Sequence, residues 1–306
     1  MTNCSLTVIS HFHHLSQVVL DEIIKSLLEE KLSITKYTTK KLSPRGQDFY
    51  IEIDNIDETR TIIKSFISST GCPYDIILQP SSTRQSKKLV VFDMDSTLIY
   101  QEVIELIAAY ADIEDKVAEI TTRAMNGELD FNQSLAERVA LLKGIDSTTL
   151  WQELQHKITL TKGVIELTHV LKKLGYVLAV LSGGFIPLAE YVKGKLGLDY
   201  AYANNLGIDE NMKLDGTTYG TIINGDKKAE LLVEIAGKHG IDPKDAIAIG
   251  DGANDLKMMA AAGFGIAWNA KPKVQLEAPG CLNTESLQDV LYILGYDDSE
   301  IEKLIN

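Results

Sequence analysis

Short apolar runs ending in polar turns recur along most of this chain. From residue 88 onward such runs occupy 89–92, 177–181 and 246–249, and each ends at a polar or glycine-rich turn. Runs of this kind are typical of strands buried on both faces of a parallel sheet, with helices covering the sheet. The pattern predicts an α/β fold built on a doubly wound parallel sheet, with a helical insertion at about 102–158 after the first strand.

The first 80 residues predict a separate, small α+β domain. Their apolar pattern indicates the order strand, helix, strand, strand, helix, strand, or βαββαβ. The predicted elements cover 6–9, 15–28, 33–39, 48–53, 62–67 and 75–78. Residues 81–87 are polar and follow a proline, which predicts a linker to a domain at 88–306.

The element order at 1–80 is similar to that of ACT-type regulatory domains. This resemblance implies a serine-binding site in the loop after the first strand. The same loop contains His11, His13 and His14. A polar turn is favoured over a metal site there, because short histidine tracts are weak signals of metal binding.

Composition and charge narrow the class of protein. Hydrophobic residues make up 45% of the 306 positions, as in globular proteins, and the formal charge of -13 disfavours nucleic acid and anionic membranes as partners. The apolar runs are too short to span a bilayer, no signal peptide is apparent, and the three cysteines are scattered. We expect a cytoplasmic protein with a small-molecule substrate. The composition is also compatible with a homodimer.

The strand at 89–92 ends in two carboxylates, Asp93 and Asp95, followed by Thr97. Side by side at the end of a buried strand these carboxylates repel each other, and a hard cation such as Mg²⁺ relieves that repulsion. Asp93 can then attack phosphorus, while Asp95 protonates the leaving group and later activates water. The alternative is a plain turn, since Asp, Ser and Thr are common at strand ends and helix starts.

The next motifs suit a phosphate group. Ser182, Gly183 and Gly184 offer a hydroxyl and backbone N–H groups to phosphate oxygens, although a plain strand-to-helix turn would use the same residues. Lys228, at the start of a helical pattern, can neutralise the transferring phosphoryl group. Its neighbour Lys227 cannot be distinguished from it by spacing alone.

Three polar residues follow the strand at 246–249. Asp251 can complete a metal site with Asp93 and Asp95, and Asn254 can hydrogen-bond the phosphate or the lysine. Asp255 either orients the lysine or favours the N-terminus of the next helix. Ligands of such sheets bind beyond the carboxyl ends of the strands, so these motifs are expected to meet in one site.

In this order the motifs resemble the haloacid dehalogenase superfamily. The pattern is matched at Asp93, Asp95, Thr97, Ser182, Lys228, Asp251 and Asp255. The resemblance implies a Rossmann-like core, a Mg²⁺ cofactor, a phosphoaspartate intermediate, and a mobile cap formed by the helical insertion. Thr97 and Asp255 would then support the residues that touch metal and substrate.

Within that superfamily the chain is similar to phosphoserine phosphatases. The matching stretches are 93–99 with Glu102, 129–135 with Arg138, 182–185 and 250–255. This resemblance implies hydrolysis of O-phosphoserine to serine and phosphate, the last step of serine biosynthesis. Phosphohomoserine or a sugar phosphate, in hydrolysis or phosphotransfer, are alternative substrates. A decayed amino-acid-sensing module is an alternative of another class.

The cap residues have the chemistry that an amino-acid substrate requires. Glu102 can pair with the ammonium of phosphoserine, and Arg138 can hold its carboxylate through two hydrogen bonds. Arg138 lies on the same helical stripe as Phe131, although an arginine there can also extend to solvent. Met125 and Phe131 are expected to line the serine pocket, with a place in the core as the alternative.

Overall fold

The computed structural model describes residues 1–12, 14–71 and 73–306 of the chain, and within them eleven strands form two sheets. An antiparallel sheet has the order β2-β3-β1-β4, and a larger sheet has the order β11-β10-β9-β5-β6-β7-β8. The strands are β1 (Thr2–Ser10), β2 (Thr38–Ser43), β3 (Gly46–Ile53), β4 (Tyr74–Pro80), β5 (Leu89–Phe92), β6 (Val177–Phe185), β7 (Tyr200–Ile208), β8 (Leu214–Tyr219), β9 (Ala246–Gly250), β10 (Phe264–Trp268) and β11 (Gly280–Leu282).

Helices connect most of these strands. Among the described residues, none of the helices is both long and apolar enough to cross a membrane. The α-helices are α1 (Gln17–Glu22), α2 (Ile56–Thr70), α3 (Ser81–Arg84), α4 (Val103–Tyr110), α5 (Glu114–Met125), α6 (Phe131–Ala140), α7 (Ser147–Lys157), α8 (Val164–Lys173), α9 (Ile186–Leu196), α10 (Gly225–Lys238), α11 (Leu256–Ala261), α12 (Pro272–Glu277), α13 (Val290–Ile293) and α14 (Asp298–Ile305). A π-helical segment, Ile23–Glu29, continues α1, and 3₁₀ turns cover Pro243–Asp245, Ala253–Asp255 and Leu287–Asp289.

Helices cover both faces of the larger sheet. Val90 and Phe92 of β5 join one apolar cluster with α8 and α9, whereas Leu89 and Val91 join a second cluster with α10 and α11. Alternate residues of a strand face opposite sides, so every residue of β5 is buried. The predicted doubly wound parallel sheet is confirmed. Only the edge strand β8 pairs antiparallel to its neighbour in this sheet, which the apolar pattern did not reveal.

Helices α4 to α7 follow β5 in the chain, ahead of α8 and β6, and form the cap. Leu135 and Val139 of α6 and Leu150 and Leu154 of α7 belong to the same apolar cluster as β5 and β6. The cap therefore packs directly on the sheet domain, above the carboxyl end of the sheet.

The first 80 residues contain the predicted order of elements, but one strand is displaced. The strand predicted at 33–39 is found at Thr38–Ser43, where it pairs with β3 through a tight turn at Pro44 and Arg45. Lys40 and Lys41 lie in this edge strand. The turn sets the register of the hairpin, and a polar edge strand has little apolar pattern to detect.

The histidine-containing loop follows β1. His11 Nε2 lies 3.1 Å from Asp75 Oδ2, and His14 is exposed. His13 lies outside the described residues.

The polar segment at 81–87, predicted as a linker, begins with the short helix α3 and contains two buried side chains, Arg84 and Lys87. Arg84, at the end of α3, is only 3% exposed. Its guanidinium donates to the Asp48 carboxylate at 2.6 and 3.0 Å, and to the carbonyl oxygens of Tyr292 and Ile293, both at 2.7 Å. The polar groups of this segment therefore bond to both parts of the chain instead of to water, which a local sequence pattern cannot show.

Replacing Arg84 by alanine is expected to lower the free energy of unfolding by about 3–5 kcal/mol, because it leaves the carboxylate of Asp48 buried without its cation. Asp48 is 0% exposed. Urea denaturation measures the change. The control is Arg123→Ala, which removes an exposed pair with Glu137 and should cost about 1 kcal/mol or less. Equal losses for the two variants would contradict the prediction.

Candidate active site

The three predicted motifs meet at the carboxyl edge of the larger sheet. Strand β5 lies between β9 and β6, and the backbone N–H of Asp93, just beyond β5, donates to Ile249 of β9 at 2.9 Å. Phe92 is in register with Val180 of β6, so residues 182–184 extend beyond the end of β5. These residues lie at the end of β6, where its pairing with β7 is irregular, and we call them the 182–184 loop. The parallel topology therefore brings residues that are far apart in sequence into one site.

Lys228 joins two carboxylates in the centre of the site. Its Nζ donates to Asp93 Oδ1 at 2.6 Å and to Asp255 Oδ1 at 2.7 Å, and the side chain is 0% exposed. Burial opposes the ammonium charge, but the carboxylates of Asp255 and Asp93 outweigh it and raise the pKa of Lys228 above its ordinary value. Lys227 instead pairs with Glu230 at 2.9 Å. Of the two neighbouring lysines, Lys228 is the one in the site.

Three carboxylates lie close enough to share a cation. One oxygen from each of Asp93, Asp251 and Asp255 lies within 4.8 Å of the others. Burial, followed by the charge on Asp93, raises the pKa of Asp251 to about 7 and that of Asp255 to about 6. Such repulsion among oxygen donors fits a site for a hard divalent cation. Both oxygens of Asp255 already accept hydrogen bonds, Oδ1 from Lys228 and Oδ2 from the N–H of Gly252, whereas Lys228 binds only Oδ1 of Asp93. Asp93 and Asp251 are therefore the better placed ligands.

The carboxylate of Asp95, which the sequence analysis placed with the metal ligands, lies outside this cluster of three. Its Oδ2 accepts from the backbone N–H of Val103 at 3.3 Å, at the start of α4. Its Oδ1 is buried and has no hydrogen-bond partner among the described residues. Burial and the charges of Asp93 and Glu102 raise the pKa of Asp95 well above its ordinary value. The helix start draws this carboxyl group away from the cluster.

The turn after β5 connects the metal-binding edge to the cap. Ser96 has a left-handed backbone with a φ of 54°, and its hydroxyl donates to Glu102 Oε1 at 2.6 Å. Thr97 is fully buried, and its hydroxyl donates to Asp251 Oδ1 at 3.4 Å. Sequence analysis did not select Ser96, although its place between Asp95 and Thr97 was a signal.

Two of the three residues in the 182–184 loop are glycines that lie close to other parts of the site. The N–H of Gly184 donates to Ser182 Oγ at 2.9 Å. A Cβ at Gly183 would lie 3.0 Å from the ring of Phe131, and one at Gly184 would lie 3.4 Å from Asp95 Oδ2. Glycine therefore allows the loop to approach both the cap and the carboxyl group of Asp95 closely.

Arg138 is partly buried in the cap with an unused donor. Its Nη2 donates to Thr121 at 3.1 Å, but its Nε is buried without a partner in the described part of the chain. Burial lowers the pKa of Arg138, and the charge of Glu102 opposes this shift. Burial also raises the pKa of Glu102, against the hydrogen bond from Ser96. A buried donor without an acceptor is costly, so an anionic group of a ligand suits this position.

Met125 and Asn254 are the two remaining residues that the sequence analysis placed near the substrate. Met125 is 79% exposed and does not form a packed pocket wall. It is the last residue of α5, at the C-terminal end of the helix, whereas the buried Val117 and Ile120 lie one and more turns before it. Asn254 lies beside the start of α10, where its backbone oxygen would be 2.9 Å from a Cβ at Gly225.

Asn204 of β7 is a buried polar residue that the sequence analysis missed. Its side chain bonds to the backbone of Gly183 and of Ile223, both at 2.8 Å. The available signal was the polar pair Asn204 and Asn205 within an otherwise apolar strand pattern.

Comparisons with known proteins agree with this geometry. Residues 87–263, more than half of the chain, match the family of haloacid dehalogenase-like hydrolases. The phosphoserine phosphatase of Saccharomyces cerevisiae is 48% identical over 305 residues, which cover 98% of this chain and 99% of that protein. A haloacid dehalogenase family hydrolase from Salmonella enterica serovar Typhi has a TM-score of 0.81 at 27% identity, covering 95% and 98% of the two chains.

The structure of a phosphoserine phosphatase with bound substrate has a TM-score of 0.63 at 43% identity, covering 67% of this chain and 98% of that one. The likeness to the yeast protein extends over both sheets, whereas this second likeness covers about two thirds of the chain. With the match to the hydrolase family, these similarities show that the chain belongs to the phosphoserine phosphatase family of haloacid dehalogenase-like hydrolases.

Proposed function

We propose that this protein hydrolyses O-phosphoserine to serine and inorganic phosphate, the last step of serine biosynthesis. The observation that carries the proposal is the unused Nε of Arg138, buried in the cap near Glu102 and above a cluster of carboxylates and Lys228. A substrate with a phosphate, an ammonium and a carboxylate offers one partner to each of these groups.

Asp93 is the proposed nucleophile. Lys228 binds its Oδ1, so Oδ2 is the candidate oxygen for attack on phosphorus. A bond forms between Oδ2 and phosphorus as the ester P–O bond breaks, and the proton of Asp95 passes to the serine oxygen. The Ser182 hydroxyl and the loop N–H groups, with Lys228, hold the negative charge of the phosphoryl oxygens.

The second half of the reaction regenerates the enzyme. Water attacks the phosphorus of the phosphoaspartate, Asp95 takes a proton from that water, and the bond between Asp93 and phosphorus breaks. Asp95 Oδ2 lies close to Gly184 of the 182–184 loop, where the phosphate is proposed to bind. Its carboxyl group can therefore serve both proton transfers from one position.

Mg²⁺ is the proposed cofactor. Asp93 and Asp251 would hold it through carboxylate oxygens, the ligands that Mg²⁺ prefers, and Thr97 supports Asp251. When bound, the cation supplies positive charge that stabilises the transferring phosphoryl group.

The binding of serine by residues 1–80, a homodimer and a cytoplasmic location stay predictions. The antiparallel order β2-β3-β1-β4 with βαββαβ connectivity is consistent with an ACT-type domain. This fold hosts unrelated functions, so the order alone does not assign a ligand.

Replacing Arg138 by alanine is expected to lower kcat/KM for phosphoserine at least tenfold to a hundredfold. Removing one partner of a charged hydrogen bond costs about 1.5–3 kcal/mol, or about one to two powers of ten in binding. The turnover of p-nitrophenyl phosphate, which has neither an ammonium nor a carboxylate, should change far less. Initial rates of phosphate release from both esters test this.

Arg123→Ala is the matched control, since Arg123 lies in the neighbouring helix and pairs with the exposed Glu137. It should leave both rates nearly unchanged. If Arg138→Ala slows both esters equally, Arg138 does not hold the substrate carboxylate, and the assignment to phosphoserine loses its structural support.

A further inference from the structure

Asn204 links two separate parts of the active site from a strand behind them. The residue is 0% exposed. Its Nδ2 donates to the carbonyl oxygen of Gly183 at 2.8 Å, and its Oδ1 accepts from the backbone N–H of Ile223 at 2.8 Å. Gly183 belongs to the 182–184 loop, whereas Ile223 directly precedes the residue that caps α10. Both halves of one buried amide are therefore engaged with the site's backbone.

The first hydrogen bond sets the direction of the backbone N–H of Gly184. No cis peptide bond occurs among the described residues, so the peptide unit between Gly183 and Gly184 is trans. In a trans peptide the C=O and the N–H point in opposite directions. By holding the carbonyl of Gly183, Asn204 directs the N–H of Gly184 to the side where it donates to Ser182 Oγ at 2.9 Å.

The second hydrogen bond fixes the start of the helix that carries Lys228. Asn224 caps α10, because its Oδ1 accepts from the N–H of Lys227 at 3.0 Å, and its carbonyl accepts from the N–H of Lys228 at 2.9 Å. Ile223 is joined to Asn224 by one peptide bond. A fixed Ile223 therefore limits the movement of the first helical turn, which contains Lys228.

We propose that Asn204 is a positioning residue for phosphate recognition, which holds the 182–184 loop and the start of α10 at a constant separation. This inference rests on the proposed phosphatase function. An apolar residue at this position would leave a buried carbonyl and a buried N–H unpaired, and an amide is the side chain that donates to one and accepts from the other.

Asn204→Asp is the sharpest test of the proposal. Aspartate keeps the size of the side chain and the acceptor for Ile223, but it places a carboxylate oxygen against the carbonyl of Gly183. The Kd for inorganic phosphate, measured by calorimetry, is expected to rise about tenfold or more, on the scale of one lost hydrogen bond. KM should rise by a similar factor for phosphoserine and for p-nitrophenyl phosphate, because both esters share the phosphate group.

Asn205→Asp is the matched control. It makes the same chemical change one residue along β7, where side chains point to the opposite side of the strand. It should change phosphate affinity less than about twofold, because Asn205 is only partly buried and solvent and salt screen a charge there. A rise in Kd with Asn204→Asp alone thus separates the lost hydrogen bond from the added charge.

Asn204→Ala removes both hydrogen bonds without adding charge and carries the test if the aspartate variant does not fold. A folded variant at position 204 that binds phosphate as tightly as the unaltered protein, even with a lower thermal midpoint, would overturn the proposal. If neither variant folds, Asn204 serves folding, and the positioning role is rejected. If the unaltered protein hydrolyses neither ester, the proposed function fails. The inference about Asn204 is then tested only by the Kd for inorganic phosphate of the variants and of the unaltered protein.

Discussion

Replacing Asp93 by asparagine is expected to reduce phosphate release from phosphoserine by roughly 10⁴-fold or more, the scale of loss when a covalent nucleophile is removed. An amide oxygen is a poor nucleophile, so the covalent step that forms the phosphoaspartate is lost. The fold should persist, since Lys228 keeps its hydrogen bond to Asp255 at 2.7 Å. Initial rates and circular dichroism together measure the two expectations.

Asp226→Asn provides a control for the same chemical change at an exposed carboxylate, which pairs with Lys257 at 2.5 Å. It should leave the rate nearly unchanged. In the unaltered protein, label from ³²P-phosphoserine should appear on aspartate after acid quenching. Label on serine or histidine would contradict the mechanism, and activity that survives chelation of divalent cations would contradict the metal site.

Replacing Asp95 by asparagine is expected to lower kcat for phosphoserine by about 10² to 10⁴, the usual contribution of a general acid and base. The serine alkoxide is a strong base and needs a proton as it leaves. The p-nitrophenolate ion is a weak base and leaves without one. The first turnover of p-nitrophenyl phosphate should therefore be nearly normal, while hydrolysis of the phosphoaspartate becomes slow.

A rapid-mixing experiment should accordingly show a burst of p-nitrophenolate, equal to one molecule per active site, followed by slow turnover. A loss without a burst, equal for both esters, would show that Asp95 acts in another way. The Asp95 carboxyl group is bonded to Val103 and stands apart from the cluster around Lys228. Its replacement should therefore leave Asp93 and Lys228 in place, so that the first chemical step, which gives the burst, still occurs.

Local sequence was sufficient to place the three central strands of the parallel sheet, β5, β6 and β9. The run at 89–92 matches β5, and the run at 246–249 lies within β9, because a strand covered on both faces must be apolar along its whole length. Local sequence predicted the position of an element less reliably where that element is exposed on one side. Strand β2 lies at the edge of its sheet with two lysines, so its position depended on the turn that joins it to β3.

The residue types of the site were also visible in the sequence. Asp93, Asp95 and Asp251 follow the ends of strands, and such ends meet at one edge of a parallel sheet. Carboxylates and lysines have characteristic chemistry in any fold, so residue type and order along the chain were enough to select the motifs. Their resemblance to a known superfamily then indicated a phosphatase.

Assigning a side chain to a particular atom required the three-dimensional structure. Lys227 and Lys228 are adjacent on α10, but only the direction of each side chain from the helix decides that Lys228 reaches Asp93. In the same way the bond from Val103 turns Asp95 away from the carboxylate cluster, and Asp255 takes its place there. Sequence spacing gives the order of such groups but not the direction in which each one points.

The sequence by itself determined the class of the fold, the order of its chemical motifs and the family to which they are similar, because these depend on apolar periodicity and residue type. The tertiary structure alone decided which residues support them. Arg84 and Asn204 are polar residues in stretches that local pattern treats as a linker or a strand. Each is buried because its partners, Asp48 and Ile293 for the first and Gly183 and Ile223 for the second, come from distant parts of the chain. A buried polar group is stable only with such partners, and only folding brings them together.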